Sequence, residues 1–211
     1  VLFDVNLAIQ KNKSIGIVGE SGAGKTTLFD IITGLFPPQT GTVTIDETDY
    51  RGINYSSLRR MIGYVTQEPV IFNDTIANNI SFWECDMNEE SCRRRIEEAA
   101  TLANCDKFIA ETEKGYEAVI GDKGVKLSGG QCQRIAIARE LFNEPEIMIF
   151  DEATSSLDTE SEMLIKQSIN SLKGERTVMI IAHRLSTVRN CDYLYVLKEG
   201  RIVDEGSFDE L

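Results

Sequence analysis

No apolar run in the 211 residues approaches the ~18 needed to cross a membrane as a helix. The N-terminus also lacks the basic and apolar segments of a secretory signal peptide. The expectation is a soluble polypeptide, built as one domain or as a domain with a subdomain. Basic residues are scarce, with 22 Lys and Arg against 34 Asp and Glu, a net charge of −12. Proteins that bind a nucleic-acid backbone present basic stripes, so nucleic acid is not expected as a partner. Any site for a phosphorylated ligand must be a local positive island on an acidic body. His183 is the only histidine, and Cys85, Cys92, Cys105, Cys132 and Cys191 contain no C-x-x-C pair. These spacings disfavour a zinc site and predict free thiols in a reducing cytosol, mostly as core filler. The 42% apolar content is ample for a packed core.

Against that background one stretch stands out. Gly19-Glu20-Ser21-Gly22-Ala23-Gly24-Lys25-Thr26 fits G-x-x-x-x-G-K-[ST], the P-loop or Walker A pattern. Before it, Ser14 to Val18 reads as a buried strand. After it, Thr27 to Thr33 reads as a helix stopped by Gly34 and then by Pro37-Pro38. The glycines let the backbone turn several N–H groups inward, and with the helix N-terminus these form an anion cradle. Lys25 is then placed for the β- and γ-phosphates of a nucleotide, and the Thr26 hydroxyl for Mg²⁺. A dinucleotide fingerprint begun at Gly22 fits worse, because it needs glycine where Thr27 stands.

Along the chain, Val1 to Leu7, Thr42 to Ile45 and Ile62 to Val65 read as strands, and Ser56 to Met61 as a short helix. Residues 74–144 change character. Cys92, Ile96, Ala99, Ala100 and Ala103 recur at helical spacing, with Arg93-Arg94-Arg95 and Glu97-Glu98 as a solvated face. A second short helix should end near Glu113, before Gly115. A third should follow Gly130, with Ile135, Ala138, Leu141 and Phe142 inward. Then Ile147 to Phe150 reads as a buried parallel strand, and Thr159-x-x-Glu162 as a capping box opening a helix to about Leu172. Thr177 to Ala182 and Tyr193 to Leu197 are further strands, and Glu199-Gly200 turns a hairpin into Ile202-Val203. Alternating strands and helices predict an α/β fold with a mainly parallel sheet. The expected division is an α/β core, 1–73 and 145–211, carrying an inserted helical subdomain, 74–144. Val1 is no initiator residue and 206–211 starts a helix that stops at once, so both ends read as cut from a longer chain.

Asp151-Glu152 follow the buried strand directly, at the sheet edge where α/β proteins bind ligands. Asp151 suits Mg²⁺ held through water, and Glu152 suits orienting or deprotonating an attacking water. Leu127-Ser128-Gly129-Gly130-Gln131 makes a second anion-ready helix start, with Ser128 as an extra donor. Two phosphate cradles far apart in one chain point to a dimer, in which one chain's second cradle closes over the other's P-loop. That pentapeptide, set between a P-loop and a hydrophobic-Asp-Glu strand, resembles the signature of ABC-type ATPases, the nucleotide-binding domains of ABC transporters.

The resemblance spans essentially the whole chain. It implies a P-loop NTPase (RecA-like) core with a mainly parallel sheet, an antiparallel β portion and the helical insertion. It implies ATP with Mg²⁺, and a head-to-tail dimer with a second such domain, identical or not. It also implies a transmembrane domain, fused N-terminally, at the cytoplasmic face of a membrane. Gly19 to Thr27 would bind ATP together with Gln67, which resembles the Q-loop glutamine. Thr26, Gln67 and Asp151 would hold Mg²⁺, and Lys25, Gln67, Glu152 and His183 would form the catalytic set. His183 resembles the switch histidine at the γ-phosphate. Ser156-Leu157-Asp158 resembles the D-loop, with Asp158 as the residue of interest. Leu127 to Gln131 would act in trans. Phe72 to Ile80, Gly115-Tyr116 and Gly121 to Gly124 resemble exporter segments, although Asp122-Lys123 stand where the family more often has Glu-Arg. The family's adenine-stacking aromatic lies upstream of Val1. Export or lipid flipping is the implied activity. A soluble relative acting on ribosomes or DNA is the alternative, disfavoured by the short helical insertion and the acidic charge.

Overall fold

In chain order the elements are β1 (Ser14–Val18), α1 (Lys25–Ile32), β2 (Thr44–Ile45), β3 (Thr48–Asp49), α2 (Tyr55–Met61), β4 (Ile62–Val65), α3 (Ile76–Ser81), α4 (Glu90–Leu102), α5 (Asp106–Ala110), α6 (Gly129–Phe142), β5 (Ile147–Asp151), α7 (Thr159–Ser171), β6 (Thr177–Ala182), α8 (Leu185–Val188), β7 (Tyr193–Lys198) and β8 (Arg201–Gly206). This computed structural model describes residues 1–121, 125–154, 157–182 and 185–211. Its contacts divide the chain into two units. One comprises Val1–Gly63, Pro145–Glu152 and Lys173–Leu211, the other Tyr64–Glu144 and Ala153–Leu172.

In the first unit β5, β6, β1, β7 and β8 lie side by side in that order. The first four are parallel, and β8 closes the series as an antiparallel neighbour of β7. Every residue of β1 and of β6 is buried, as expected of strands covered on both faces. Ser14, at the start of β1, is pinned by Asp192 before β7, whose carboxylate accepts from Ser14 N–H (2.8 Å) and Oγ (2.6 Å). These bonds hold the Asp192 carboxyl below its ordinary pKa. Glu199 and Gly200 both take positive φ, 49° and 75°, in the β7–β8 turn, the backbone that a two-residue hairpin favours.

The expected strand at Val1 to Leu7 does not form. Asp4 sits at φ 50°, which breaks the pleat, and the segment is held instead through Phe3 N–H to the Gly200 carbonyl (2.8 Å). The expected helix after the glycine loop begins earlier, at Lys25.

In the second unit α4 buries Cys92, Ile96, Ala99 and Ala100, the stripe read from the sequence. α6 buries Ile135, Ala138, Leu141 and Phe142, and also Gln133 and Arg134. Their polar ends are satisfied by carbonyls, Gln133 Nε2 on Thr66 (3.0 Å) and Arg134 Nη1 on Asn104 (2.6 Å). α5 stops at Ala110, short of Glu113, and the Thr112 hydroxyl donates back to the Ile109 carbonyl (2.7 Å). α7 is capped by Asp158, whose Oδ1 accepts from Ser161 N–H (2.9 Å), not by Thr159. Thr159 is instead the first helical residue, and Glu162 pairs with Lys166 (2.7 Å).

α3 was not legible in the sequence. Thr75 caps it, and the fully buried Asn79 side chain bonds Phe72 N–H (2.8 Å) and the Phe72 carbonyl (2.9 Å), folding the preceding loop onto the helix. Nor are all five thiols free. Cys85 and Cys92 form a disulfide with Cα atoms 5.9 Å apart, because the turn at Phe82-Trp83 returns the chain to the first turn of α4. Among the described residues no helix is long and apolar enough to cross a membrane.

α6 and α7 meet where a Cβ on Gly130 would overlap Ser161 Oγ and Cβ. Gly130→Ala is therefore expected to cost roughly 1–3 kcal/mol, as overpacking does, and Ser161→Gly in the same chain should recover part of that loss. Urea midpoints of the single and double variants check this. Additive losses would contradict it.

Candidate functional site

The register of the first unit sets the site. Val18 lies opposite Ala182, and Asp151 opposite Ile181. β1 and β5, flanking β6, therefore leave the sheet at the same edge, about 10 Å apart by two strand spacings. β1 delivers Gly19 to Gly24 there, and β5 delivers Asp151 and Glu152.

The glycines of the loop are needed for different reasons. A Cβ on Gly19 would overlap the Leu197 carbonyl oxygen, so crowding requires glycine there. Gly22 has open space around it but stands at φ 80°, so conformation requires it. Gly24 caps α1 at φ 104° and brings no side chain to its first-turn N–H groups, which leaves the helix N-terminus suited to an anion. Glu20, Ser21 and Thr26 are exposed, Thr27 half-buried, and Ala23 buried under the loop.

Lys25 is 6% exposed. Its Nζ donates to the carbonyls of Gly19 (2.8 Å) and Glu20 (2.9 Å), so the cation is curled over its own loop. Burial pushes its pKa below the ordinary lysine value, while Glu152 and then Asp151 pull it back. The two carboxylates are thus near enough to be felt by the ammonium, so the charge at this edge is mixed and differs from the positive island expected on an acidic body.

Thr26 and Asp151 offer hard oxygens suited to Mg²⁺. No cluster of three or more metal-binding side chains exists among the described residues.

Glu152 has a feature its sequence hides. It stands at φ 48°, with its N–H on the Ile181 carbonyl (3.1 Å). A left-handed glutamate is strained, and strain of this kind clusters at working sites.

The second unit holds the other expected residues. Ser128 caps α6 in a full capping box: its Oγ accepts from Gln131 N–H (3.2 Å), and Gln131 Oε1 accepts from Ser128 N–H (2.8 Å). Ser128 Oγ thus keeps its own O–H for donation. Gly129 is exposed and Gly130 buried, and Leu127 and Gln131 are half-buried. Cys132 is half-buried, and burial pushes its thiol pKa up, which keeps it neutral. Gln67 is exposed, two residues beyond β4. Asp158 is occupied as the α7 cap, and the bonds from Ser161 hold its carboxyl low. Ser161 was missed by sequence reasoning. The only signal was a small residue three positions after a capping Asp. His183, Ser156 and Asp122 to Gly124 lie outside the described residues.

The strain at Glu152 has a testable size. Glu152→Gly and Glu152→Ala both remove the carboxylate, but only glycine suits φ 48°. The glycine variant is expected to be the more stable by about 1 kcal/mol. Thermal or urea denaturation measures the difference, and equal stability would mean the backbone is not strained.

A sequence profile of the ABC transporter family matches residues 2–155. The chain is 46% identical over 211 residues to an ATP-dependent lipid A-core flippase of Desulfotalea psychrophila, covering all of this chain and 36% of that protein. It is 47% identical to the toxin RTX-I translocation ATP-binding protein of Actinobacillus pleuropneumoniae, covering all of this chain and 29% of that one. P-glycoprotein 14 of Caenorhabditis elegans is 44% identical over the same length, which is 16% of its own. Among solved structures, a bacterial Atm1-family ABC exporter with ATP bound superposes with a TM-score of 0.88 at 38% identity, over 99% of this chain and 36% of that one. The chain thus spans between 16% and 36% of the length of these relatives. With a P-loop at β1, carboxylates at the end of β5 and a glycine-led helix start at α6, the chain belongs to the ABC transporter family.

Proposed function

We propose that this chain is the ATP-binding and ATP-hydrolysing module of a membrane exporter or lipid flippase. The observation that carries the reading is the strand register that brings the glycine loop with Lys25 to the same sheet edge as Asp151 and Glu152.

The loop Gly19 to Gly24 and the first turn of α1, Lys25 to Thr27, hold the nucleotide phosphates through backbone N–H groups. Lys25 gives up its two loop carbonyls for the β- and γ-phosphates. Thr26 and Asp151 are the groups that would hold Mg²⁺, which when bound neutralises charge on the phosphate oxygens. Glu152 orients the attacking water and takes its proton. Gln67 and His183 are proposed as ligand and γ-phosphate contact on sequence resemblance.

The second cradle, Ser128 to Gln131, serves the P-loop of a partner domain, identical or not, in a head-to-tail dimer. Asp158 is proposed to touch that partner. The helical subdomain is assigned to 74–144 and the catalytic core to 1–73 and 145–211. The second unit also exposes a group of large apolar side chains, Val70, Phe82, Trp83 and Val119. We assign that surface to a transmembrane domain, carried N-terminally in the same chain, at the cytoplasmic face of the membrane.

Glu152→Gln tests the central assignment. It keeps size and removes the base. Phosphate release is expected to fall by roughly 100- to 10,000-fold, the range general-base catalysis supplies. With ATP and Mg²⁺ the variant should elute as a stable dimer in size-exclusion chromatography. Hydrolysis at the unmutated rate would remove Glu152 from the mechanism.

A further inference from the structure

The Cys85–Cys92 disulfide has no part in the nucleotide chemistry, and its surroundings suit exchange. Cys92 is 1% exposed and is the third residue of α4, whose N-cap Glu89 makes no side-chain capping bond. The third position of a 13-residue helix lies at the positive end of its dipole, which favours a departing thiolate against the opposing effect of burial. Cys85 is half-buried and lines a cleft of about 510 Å³ with Thr75, Asn78, Trp83, Met87 and Glu117. One sulfur is thus open to attack from solvent, and the other is placed to leave.

The bond also ties down a strained turn. Phe82 and Trp83 stand consecutively at φ 54° and 59°. Outside the disulfide, the turn is held by Trp83 Nε1 on Asp74 Oδ2 (2.9 Å) and by edge contacts of both rings with Phe72, at 5.5 and 5.2 Å. The loop the bond closes is short, with a sequence separation of seven, so it contributes less chain-entropy stabilisation than a long-loop disulfide does. α4 keeps its buried stripe of Ile96, Ala99 and Ala100 without it.

We propose that Cys85–Cys92 is a reversible thiol–disulfide exchange site, opened by a small thiol of the glutathione class through this cleft, and that its opening releases the Phe82-Trp83 turn. The thiolate of the small thiol attacks Cys85 Sγ, the Cys85–Cys92 bond breaks, and Cys92 leaves as thiolate and takes a proton. A second small thiol attacks the outer sulfur of the mixed disulfide and releases Cys85. The balance is one protein disulfide and two small thiols converted to two protein thiols and one small disulfide, and the same small disulfide reverses it. The three remaining thiols react slowly, since Cys105 and Cys191 are buried and Cys132 half-buried, and burial raises the pKa of each. In thiol-rich compartments disulfides of this kind are transient or redox-sensing. The proposal does not depend on ATP hydrolysis.

Trp83 is the only tryptophan, so its fluorescence reports on the turn directly. The chain is equilibrated in native buffer at pH 7 across ratios of reduced to oxidised glutathione, acid-quenched, and alkylated in denaturant. Alkylatable thiols are expected to rise from three to five as the buffer becomes reducing, with both new adducts on the Cys85 and Cys92 peptides. Trp83 emission should shift in step and return on reoxidation. Cys85→Ser should show no redox-dependent shift, and it leaves the buried Cys92 in place if Cys92→Ala does not fold. Three results would each overturn the proposal: five free thiols in the most oxidising buffer, a bond that opens only in denaturant, or thiol release that leaves Trp83 emission unmoved.

Discussion

The parallel register of β1, β6 and β5 is the constraint on which the site depends. Val18 opposite Ala182 and Asp151 opposite Ile181 put the glycine loop and the two acids at one edge. A slip of one residue in β5 would turn Asp151 to the other face of the sheet. The fully apolar Met148, Ile149 and Phe150, each 0% exposed, forbid such a slip, because it would bring an acid into the core. Lys25 is the beneficiary. Its burial is unfavourable alone and is offset by two loop carbonyls and by the field of Glu152 and Asp151. A core of mainly hydrophobic strands thus fixes where charge is tolerated.

The second unit solves a related problem with a helix. α6 is buried around most of its girth, so its two arginines must find carbonyls. Arg134 reaches Asn104, and Arg139 reaches Asn79 (2.7 Å) and Val70 (2.9 Å) while stacking over Phe72 at 5.2 Å. Those contacts fix the body of the helix, and its N-terminus is held by the Ser128–Gln131 box and by Gly130 against Ser161. Both candidate cradles therefore have one design: a glycine where a side chain would block, and a helix N-terminus held still from behind.

Most of this was legible in residues that leave little choice. Four consecutive buried apolar residues, Ile147 to Phe150, admit a covered strand, and Lys25 after three spaced glycines admits a phosphate loop. What escaped depends on partners distant in sequence or on backbone geometry. α3 hid because Asn79 looks like a surface residue until its amide is seen bonding the Phe72 backbone. Val1 to Leu7 has strand-like residues, but Asp4 turns left-handed. Thr159 and Glu162 spelled a capping box, yet Asp158, one residue earlier, has the better acceptor. Cys85 and Cys92 lack any motif, and only the turn at Phe82-Trp83 brings them together. The left-handed Glu152 is invisible in composition.

We propose that each working site combines the P-loop of one chain with the Ser128 cradle of another. Lys25→Ala damages the first element and Ser128→Arg blocks the second, so each variant alone should be inactive. A mixed dimer of the two has one doubly damaged site and one intact site. ATP occlusion, measured beside phosphate release in the mixture, distinguishes a shared site from one built within a single chain. Recovery of occlusion on mixing, absent from either variant alone, is the predicted result. No recovery of either signal, with turnover first order in protein down to dilutions where light scattering sees only monomer and Ser128→Arg without effect, would contradict it.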